Sequence, residues 1–139
     1  MSENILVVGV FDLFHVGHLT LLEKSKALGD KLFIIVNGDK MTGEYKRTPY
    51  INENDRKRLI EALDIVDEAV ISNEFDIKPY IEQFNITKIV HGDDWELNSY
   101  MEQIRCTPEY LAAQGCEIVM LPYTQGISTS ALIKQIKQS

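Results

Sequence analysis

His15 and His18 stand three residues apart in the run Gly9-Val10-Phe11-Asp12-Leu13-Phe14-His15-Val16-Gly17-His18, directly after a short apolar stretch. At the start of a helix that spacing puts both imidazoles on one face. Gly17 between them leaves the backbone open to a close approach, and a helix N-terminus attracts anions. Two imidazoles beside backbone N–H groups suit a polyphosphate under nucleophilic attack. A capping histidine next to a surface histidine is the plain alternative for the four residues alone. Context decides between them: strand, Gly-x-Phe-Asp-x-x-His-x-Gly-His, then helix is a long pattern in a fitting place, and whole-run agreement by chance is improbable.

These residues need a scaffold, and the apolar pattern supplies one. Ile5 to Val10, Lys31 to Val36, Glu68 to Ser72, Thr87 to His91 and Cys116 to Leu121 read as five strands, the first two apolar enough to be buried on both faces. Helical spacing returns over Val16 to Leu28, ended by a Gly29-Asp30 C-cap, and over Glu53 to Leu63 with Asn52 as N-cap. Ile77 to Phe84, part of Asn98 to Gln114 (with Pro108 inside it) and Ser128 to Lys137 complete the helices, while Asn37 to Asn52 reads as a polar loop. Strands alternating with helices predict an α/β domain, Rossmann-like, with five parallel strands and helices on both faces, spanning residues 1–139.

In an open parallel sheet the ligand lies beyond the carboxyl ends of the strands, at the switch point. The polar segments there are Gly9 to His18, then Asn37-Gly38-Asp39, then Gly92-Asp93-Asp94-Trp95, then Pro122 to Thr129. All are expected to converge on one rim. Lys46 and Arg47 offer positive charge in the intervening loop, with a solvated charge pair as the alternative.

Composition narrows the choice further. The 139 residues hold 14 Lys and Arg against 21 Asp and Glu, a net charge of −7, which speaks against a nucleic-acid partner. A hydrophobic share of 45% with 25% charged residues is that of a globular chain with a real core. Cys106 and Cys116 show no metal or redox spacing and are expected to be reduced, partly buried thiols. Neither a signal peptide nor an apolar run of membrane-spanning length is evident, so a soluble, cytoplasmic protein without a membrane partner is expected.

The run Gly9 to His18 resembles the Gly-Thr-Phe-Asp-x-x-His-x-Gly-His signature of the cytidylyltransferase family of nucleotidyltransferases, with Val10 in place of Thr. Gly126-Ile127-Ser128-Thr129-Ser130 resembles their second signature, Arg-Thr-Glu-Gly-Ile-Ser-Thr-Thr, and Gly92-Asp93-Asp94-Trp95-Glu96 is similar to the segment after the fourth strand of bacterial glycerol-3-phosphate cytidylyltransferases. The resemblance implies transfer of CMP from CTP to a small phosphate- or phosphonate-bearing alcohol, with pyrophosphate released. It implies that His15 and His18 contact the α- and β-phosphates, that Ser128 and Thr129 bind the β- and γ-phosphates, and that Lys46 serves both catalysis and acceptor binding. Nucleotide contacts are implied for Val10, Phe11, Asp12, Gly17, Arg47, Gly92, Asp93, Asp94, Trp95, Tyr123, Thr124, Gly126, Ile127 and Ser130. An N-cap role for Ser128 and Thr129 and a core role for Trp95 stay open. Asp39 is expected at ribose or acceptor hydroxyls, with a turn or cap as its alternative. Mg²⁺ is the implied cofactor, held by nucleotide and water without direct protein ligands; Asp12 reaches it at most through water, or else shapes a turn. A homodimer is likewise implied.

Two departures bear on the acceptor. An Arg of the family's Arg-Tyr-Val-Asp-Glu segment is Asp64 here, and the Arg opening the second signature is Tyr123. Neither replacement makes a bidentate charged contact to phosphate. Pro122-Tyr123-Thr124-x-Gly-Ile-Ser also resembles cytidylyltransferase domains joined to phosphoenolpyruvate mutases, which points to a phosphonate. Val36-Asn37-x-Asp39 is similar to ADP-heptose-forming adenylyltransferase domains, which keeps ATP and a sugar phosphate in view. A nucleotide-binding module without catalysis is the reading from another class.

Overall fold

Each strongly apolar run of the sequence lies in one parallel sheet. The computed structural model describes residues 2–93, 96–122 and 128–138. Strands β1 (Asn4–Gly9), β2 (Lys31–Asn37), β3 (Glu68–Ser72), β4 (Lys88–Gly92) and β5 (Glu117–Leu121) pair in the order β3-β2-β1-β4-β5, every pair parallel. The helices are α1 (Val16–Lys26), α2 (Asp39–Tyr45), α3 (Glu53–Glu61), α4 (Lys78–Gln83), α5 (Leu97–Gln103), α6 (Pro108–Gln114) and α7 (Thr129–Gln138). The expected α/β class with a five-stranded parallel sheet is what forms.

Alternation along β1 shows why the central strands are apolar throughout. Leu6 packs with Ile81, Tyr100 and Leu111 from α4, α5 and α6 on one face. Ile5 and Val7 pack with Leu22 of α1 and Ile60 of α3 on the other. The chain order reverses direction between β1 and β4, so the switch point lies at the carboxyl ends of those two strands.

Local expectations met two corrections, and one stretch gained detail. Residues 37–52 are not all loop: α2 forms within them, burying Met41 and Thr42, with the side chain of Asn73 accepting from the Met41 amide in place of a local cap. Tertiary packing overrides the helix-weakening Gly43. The stretch Asn98 to Gln114 is two helices, separated where Arg105 takes a left-handed φ of 61° and Thr107 caps α6. Gly29 is not a left-handed C-cap, since α1 ends on Ala27. A side chain at Gly29 would strike the Glu3 carbonyl oxygen at 2.7 Å and the Ile5 side chain at 2.8 Å, so glycine is needed there for close approach.

Asn52 does cap α3, accepting from the Asp55 amide. Both cysteines are free and buried, and burial raises Cys106 to about 11 and Cys116 to about 12, which keeps them as unreactive thiols. No helix among the described residues is long and apolar enough to cross a membrane.

Candidate active site

The turn from β1 into α1 is tightly built. Phe11 (φ 56°) and Leu13 (φ 51°) both adopt left-handed backbone, uncommon for residues with a side chain. The Phe11 ring folds back over Gly9, where an added Cβ would meet it at 2.9 Å. Gly9 is therefore part of the motif for steric reasons.

His15 and His18 then face each other as stacked rings with centroids 3.9 Å apart. Phe14 stacks on His18 at 5.3 Å and Phe11 meets it edge-on at 5.7 Å. The Gly17 amide donates to Nδ1 of His15 (3.0 Å), and the His15 amide donates to Nδ1 of His18 (3.1 Å). A nitrogen that accepts from a backbone N–H carries no proton, so the neutral form of each ring has its hydrogen on Nε2. Burial lowers the pKa of His15, and burial followed by the neighbouring His15 lowers that of His18 to about 4. At neutral pH the pair is thus two uncharged Nε2–H donors of fixed tautomer. The Nε2 of His15 is buried without a hydrogen-bond partner among the described residues.

Asp12 organises the other side of the turn and is itself almost fully buried. Its Oδ1 accepts from the Ile51 amide (3.0 Å), and its Oδ2 accepts from the Tyr50 amide (2.9 Å) and from Arg47 (2.7 Å). Burial would raise the Asp12 pKa, but the amides of Tyr50 and Ile51 and the Arg47 guanidinium outweigh it and hold it below its usual value. Arg47 also lies 5.1 Å over the Tyr50 ring. With both carboxylate oxygens committed to the loop, Asp12 is a poor fit for ordering the water shell of a metal. Among the described residues no three His, Cys, Asp or Glu side chains converge on a common point.

Ser128 caps α7 by accepting from the Ala131 amide (3.0 Å). The Thr129 hydroxyl donates to the Asp12 carbonyl (2.9 Å), tying the start of α7 to the histidine turn. The Thr129 proton is therefore held by the protein, whereas the Ser128 hydroxyl proton remains available to a ligand. The first amides of α7 lack intrahelical acceptors, as at any helix start, and carry the positive end of its dipole.

All of this opens into one cleft of about 480 Å³ above the switch point. Val10, Phe11, Asp12, His15, Gly17 and His18 line it from the β1–α1 turn, Lys46 and Arg47 from the loop after α2, Gly92 from β4, and Ser128, Thr129 and Ser130 from α7. Asp93 sits in the turn beyond Gly92, its amide donating to Leu121. Asp94, Trp95, Tyr123, Thr124, Gly126 and Ile127 lie outside the described residues.

Asp39, expected at ribose or acceptor hydroxyls or else in a turn or cap, does not line the cleft. Its Oδ1 pairs with Arg56 at 2.6 Å and its Oδ2 accepts from the Glu53 amide at 3.2 Å, which makes it a structural anchor. Asp64, in place of a family arginine, likewise does not line the cleft.

Arg56 was not anticipated from the sequence. Its guanidinium is buried and donates to the carbonyls of Ile51 (2.8 Å), Val10 (2.7 Å) and Asn37 (2.7 Å) besides Asp39. It thereby joins the carboxyl ends of β1 and β2. Its position four residues before Ile60, on the apolar stripe of α3, was the available signal. His91 was also missed: it lines the cleft from β4, donates through Nδ1 to the Gly92 carbonyl (2.8 Å) and packs on Tyr100.

The cytidylyltransferase-like family model matches residues 6–135, nearly the whole chain. The chain belongs to the cytidylyltransferase-like family. It is similar to the glycerol-3-phosphate cytidylyltransferase of Bacillus subtilis (strain 168), 34% identical over 135 residues that cover 96% of this chain and 97% of that one. It is similar to the FAD synthase of Methanosarcina barkeri to the same degree, 34% over 138 residues, covering 96% and 95%. Among solved structures, the lipopolysaccharide core biosynthesis protein of Thermoplasma volcanium superposes with a TM-score of 0.75 at 27% identity, covering 90% of this chain and 100% of that one. Membership of the cytidylyltransferase-like family makes the protein a nucleotidyltransferase, while relatives of different substrate are equally similar to it.

Proposed function

We propose that the protein transfers CMP from CTP to a small phosphate- or phosphonate-bearing alcohol. An anionic acceptor oxygen attacks the α-phosphorus, the bond from that phosphorus to the bridging oxygen breaks, and pyrophosphate leaves with the electron pair. The observation that carries this reading is the state of the histidine pair. With both Nδ1 atoms occupied by backbone N–H groups and both rings uncharged, neither histidine is poised as a base toward an acceptor hydroxyl. Both instead offer Nε2–H to phosphoryl oxygens, so the reaction needs a nucleophile that is already anionic, and a phosphate or phosphonate oxygen is one. Catalysis is then positioning and stabilisation of charge on the phosphoryl oxygens.

Lys46, the α7 amides and the Ser128 hydroxyl supply the remaining stabilisation. Mg²⁺, if bound, would be held by triphosphate oxygens and water and would offset part of the phosphate charge, with no protein ligand assigned to it. The preference for CTP rests on Gly92-Asp93-Asp94-Trp95 and on the similarity to the glycerol-3-phosphate cytidylyltransferase. Adenylyl transfer is the second reading, favoured by the equal similarity to an FAD synthase. A cytoplasmic homodimer completes the proposal, and sedimentation tests its assembly state.

Pyrophosphate release, measured with each nucleoside triphosphate against phospho-alcohols, phosphonates, sugar phosphates and flavin mononucleotide, decides among these. Release with CTP and a small phosphate or phosphonate supports the proposal. Release only with ATP overturns it in favour of adenylyl transfer. Nucleotide binding without release in any combination points to a module that binds and does not react.

A further inference from the structure

The lining of the cleft falls into two parts of opposite character, a polar lobe and an apolar lobe. The polar lobe holds His15, His18, Ser128 and Thr129, the groups suited to a triphosphate. The other reaches toward the α4–α5 face and is walled by Met41, Tyr45, Phe75, Ile77, Tyr100 and Ile104. Tyr45 and Phe75 meet edge to face at 5.4 Å, and Lys46 follows Tyr45 directly at the end of α2. A cation therefore stands beside an aromatic and aliphatic recess.

The polar side chains of this lobe offer little to a polyol. Its amides are those of Gln103 and the buried Asn37, and its hydroxyls are those of Tyr45 and the buried Tyr100. A hydroxyl carried into such a recess without a partner loses its water for nothing in return, whereas an apolar group gains by leaving water. The chemistry of the walls thus selects the body of the acceptor, and the lysine selects its phosphate.

We infer that the acceptor phosphate meets Lys46 while its body, an aromatic ring or a branched hydrocarbon within a few bonds of the phosphate, packs against Tyr45, Phe75 and Ile104. The inference rests on the nucleotidyl-transfer reading and specifies its second substrate. A polyol such as glycerol 3-phosphate is accordingly a poor acceptor.

The test compares glycerol 3-phosphate with 2-phenylethyl phosphate and 3-methylbutyl phosphate. Two readouts are taken on the full chain: pyrophosphate release with CTP, and calorimetric binding of each phosphate to protein loaded with a non-hydrolysable CTP analogue. The apolar phosphates are expected to bind at least tenfold more tightly than glycerol 3-phosphate and to show at least tenfold higher kcat/KM. Phe75→Asn is expected to remove that preference, Phe75→Leu to retain most of it, and both to bind the CTP analogue as the parent does. Equal or tighter binding of glycerol 3-phosphate overturns the inference, as does an equal effect of Phe75→Asn on all three acceptors. If the apolar phosphates bind preferentially yet no pyrophosphate appears, the preference stands and the transfer reading fails. If glycerol 3-phosphate is the better substrate, transfer stands and the inference fails.

Discussion

Arg56 Nη2 lies 2.6 Å from Asp39 Oδ1, and this pair sits where the carboxyl ends of β1 and β2 meet α3. The arginine is fully buried, while the aspartate is partly open to solvent, so the pair is a buried cation with one half-screened counter-charge and three carbonyl acceptors. The Val10 carbonyl it binds directly precedes the left-handed Phe11. Arg56 thus acts on the histidine turn through the backbone.

Arg56→Met is expected to destabilise the protein by about 3–5 kcal/mol, the scale for breaking a buried charge pair and stranding its partners. Asp39→Asn keeps a hydrogen-bonding group on the arginine and is expected to lose about 1–3 kcal/mol. Urea denaturation of the two variants checks both values. A loss below 1 kcal/mol for Arg56→Met would show that the strand ends hold without it.

Acid destabilises this fold partly through His18. Its pKa of about 4 in the folded protein lies below the ordinary histidine value of 6.5. Between those values the unfolded chain binds the proton and the folded chain does not, so stability falls as pH drops from about 6.5 toward 4. The loss is at most about 3 kcal/mol. His18→Gln is expected to flatten this slope. Urea midpoints at pH 7, 6, 5 and 4.5 measure it, and an unchanged slope in the variant would assign the effect elsewhere.

The strands and the histidine motif were legible because each is written in contiguous residues. Ile5 to Val7 and Leu32 to Val36 are continuous apolar runs, and continuity is what a strand covered on both faces requires. The first signature likewise spans Gly9 to His18 without a gap. Helix α2 was hidden because Gly43 and its polar neighbours argue for a loop, while the Asn73 side chain that supports its first turn comes from beyond β3. Arg56 was hidden because an arginine in a helix reads as solvated, and all but one of its acceptors lie 17 or more residues away in sequence. The apolar lobe was invisible for a related reason. Met41 and Tyr45 come from α2, Phe75 and Ile77 from the segment before α4, and Tyr100 and Ile104 from α5 and its end, and each alone looks like core.

His18→Ala removes one Nε2–H donor and also the acceptor for the His15 amide. By the scale of lost transition-state donors, kcat is expected to fall about 10²–10³-fold with the fold retained. Circular dichroism establishes the fold and pyrophosphate release gives kcat. A variant with full activity would contradict the assigned role.

Asp12→Asn tests the latch between the histidine turn and the loop at residues 47–51. An amide offers one oxygen where the carboxylate offers two, so the donors from Arg47, Tyr50 and Ile51 cannot all be satisfied. The expected loss is about 1–3 kcal/mol of stability, with faster tryptic cleavage after Lys46 and Arg47. Nucleotide is expected to slow that cleavage in the parent protein, because both residues line the cleft. Cleavage at the parent rate would show that the loop is held by other contacts.

Thr129 links the two halves of the phosphate site, since its hydroxyl donates to the Asp12 carbonyl while its backbone heads α7. Thr129→Val keeps the shape and deletes the donor, and Thr129→Ser keeps the donor and deletes a methyl. If the hydroxyl sets the spacing between the α7 amides and His18, Thr129→Val lowers kcat about 10–100-fold, as small misplacements of catalytic groups do, while stability falls by only about 1 kcal/mol. Thr129→Ser then recovers most of the rate. A purely structural hydroxyl predicts a different result, with stability lost in Thr129→Val and kcat unchanged at a temperature where the variant is folded. Measuring kcat, KM and urea stability for both variants separates the two, because the first effect falls on kcat and the second only on the folded fraction.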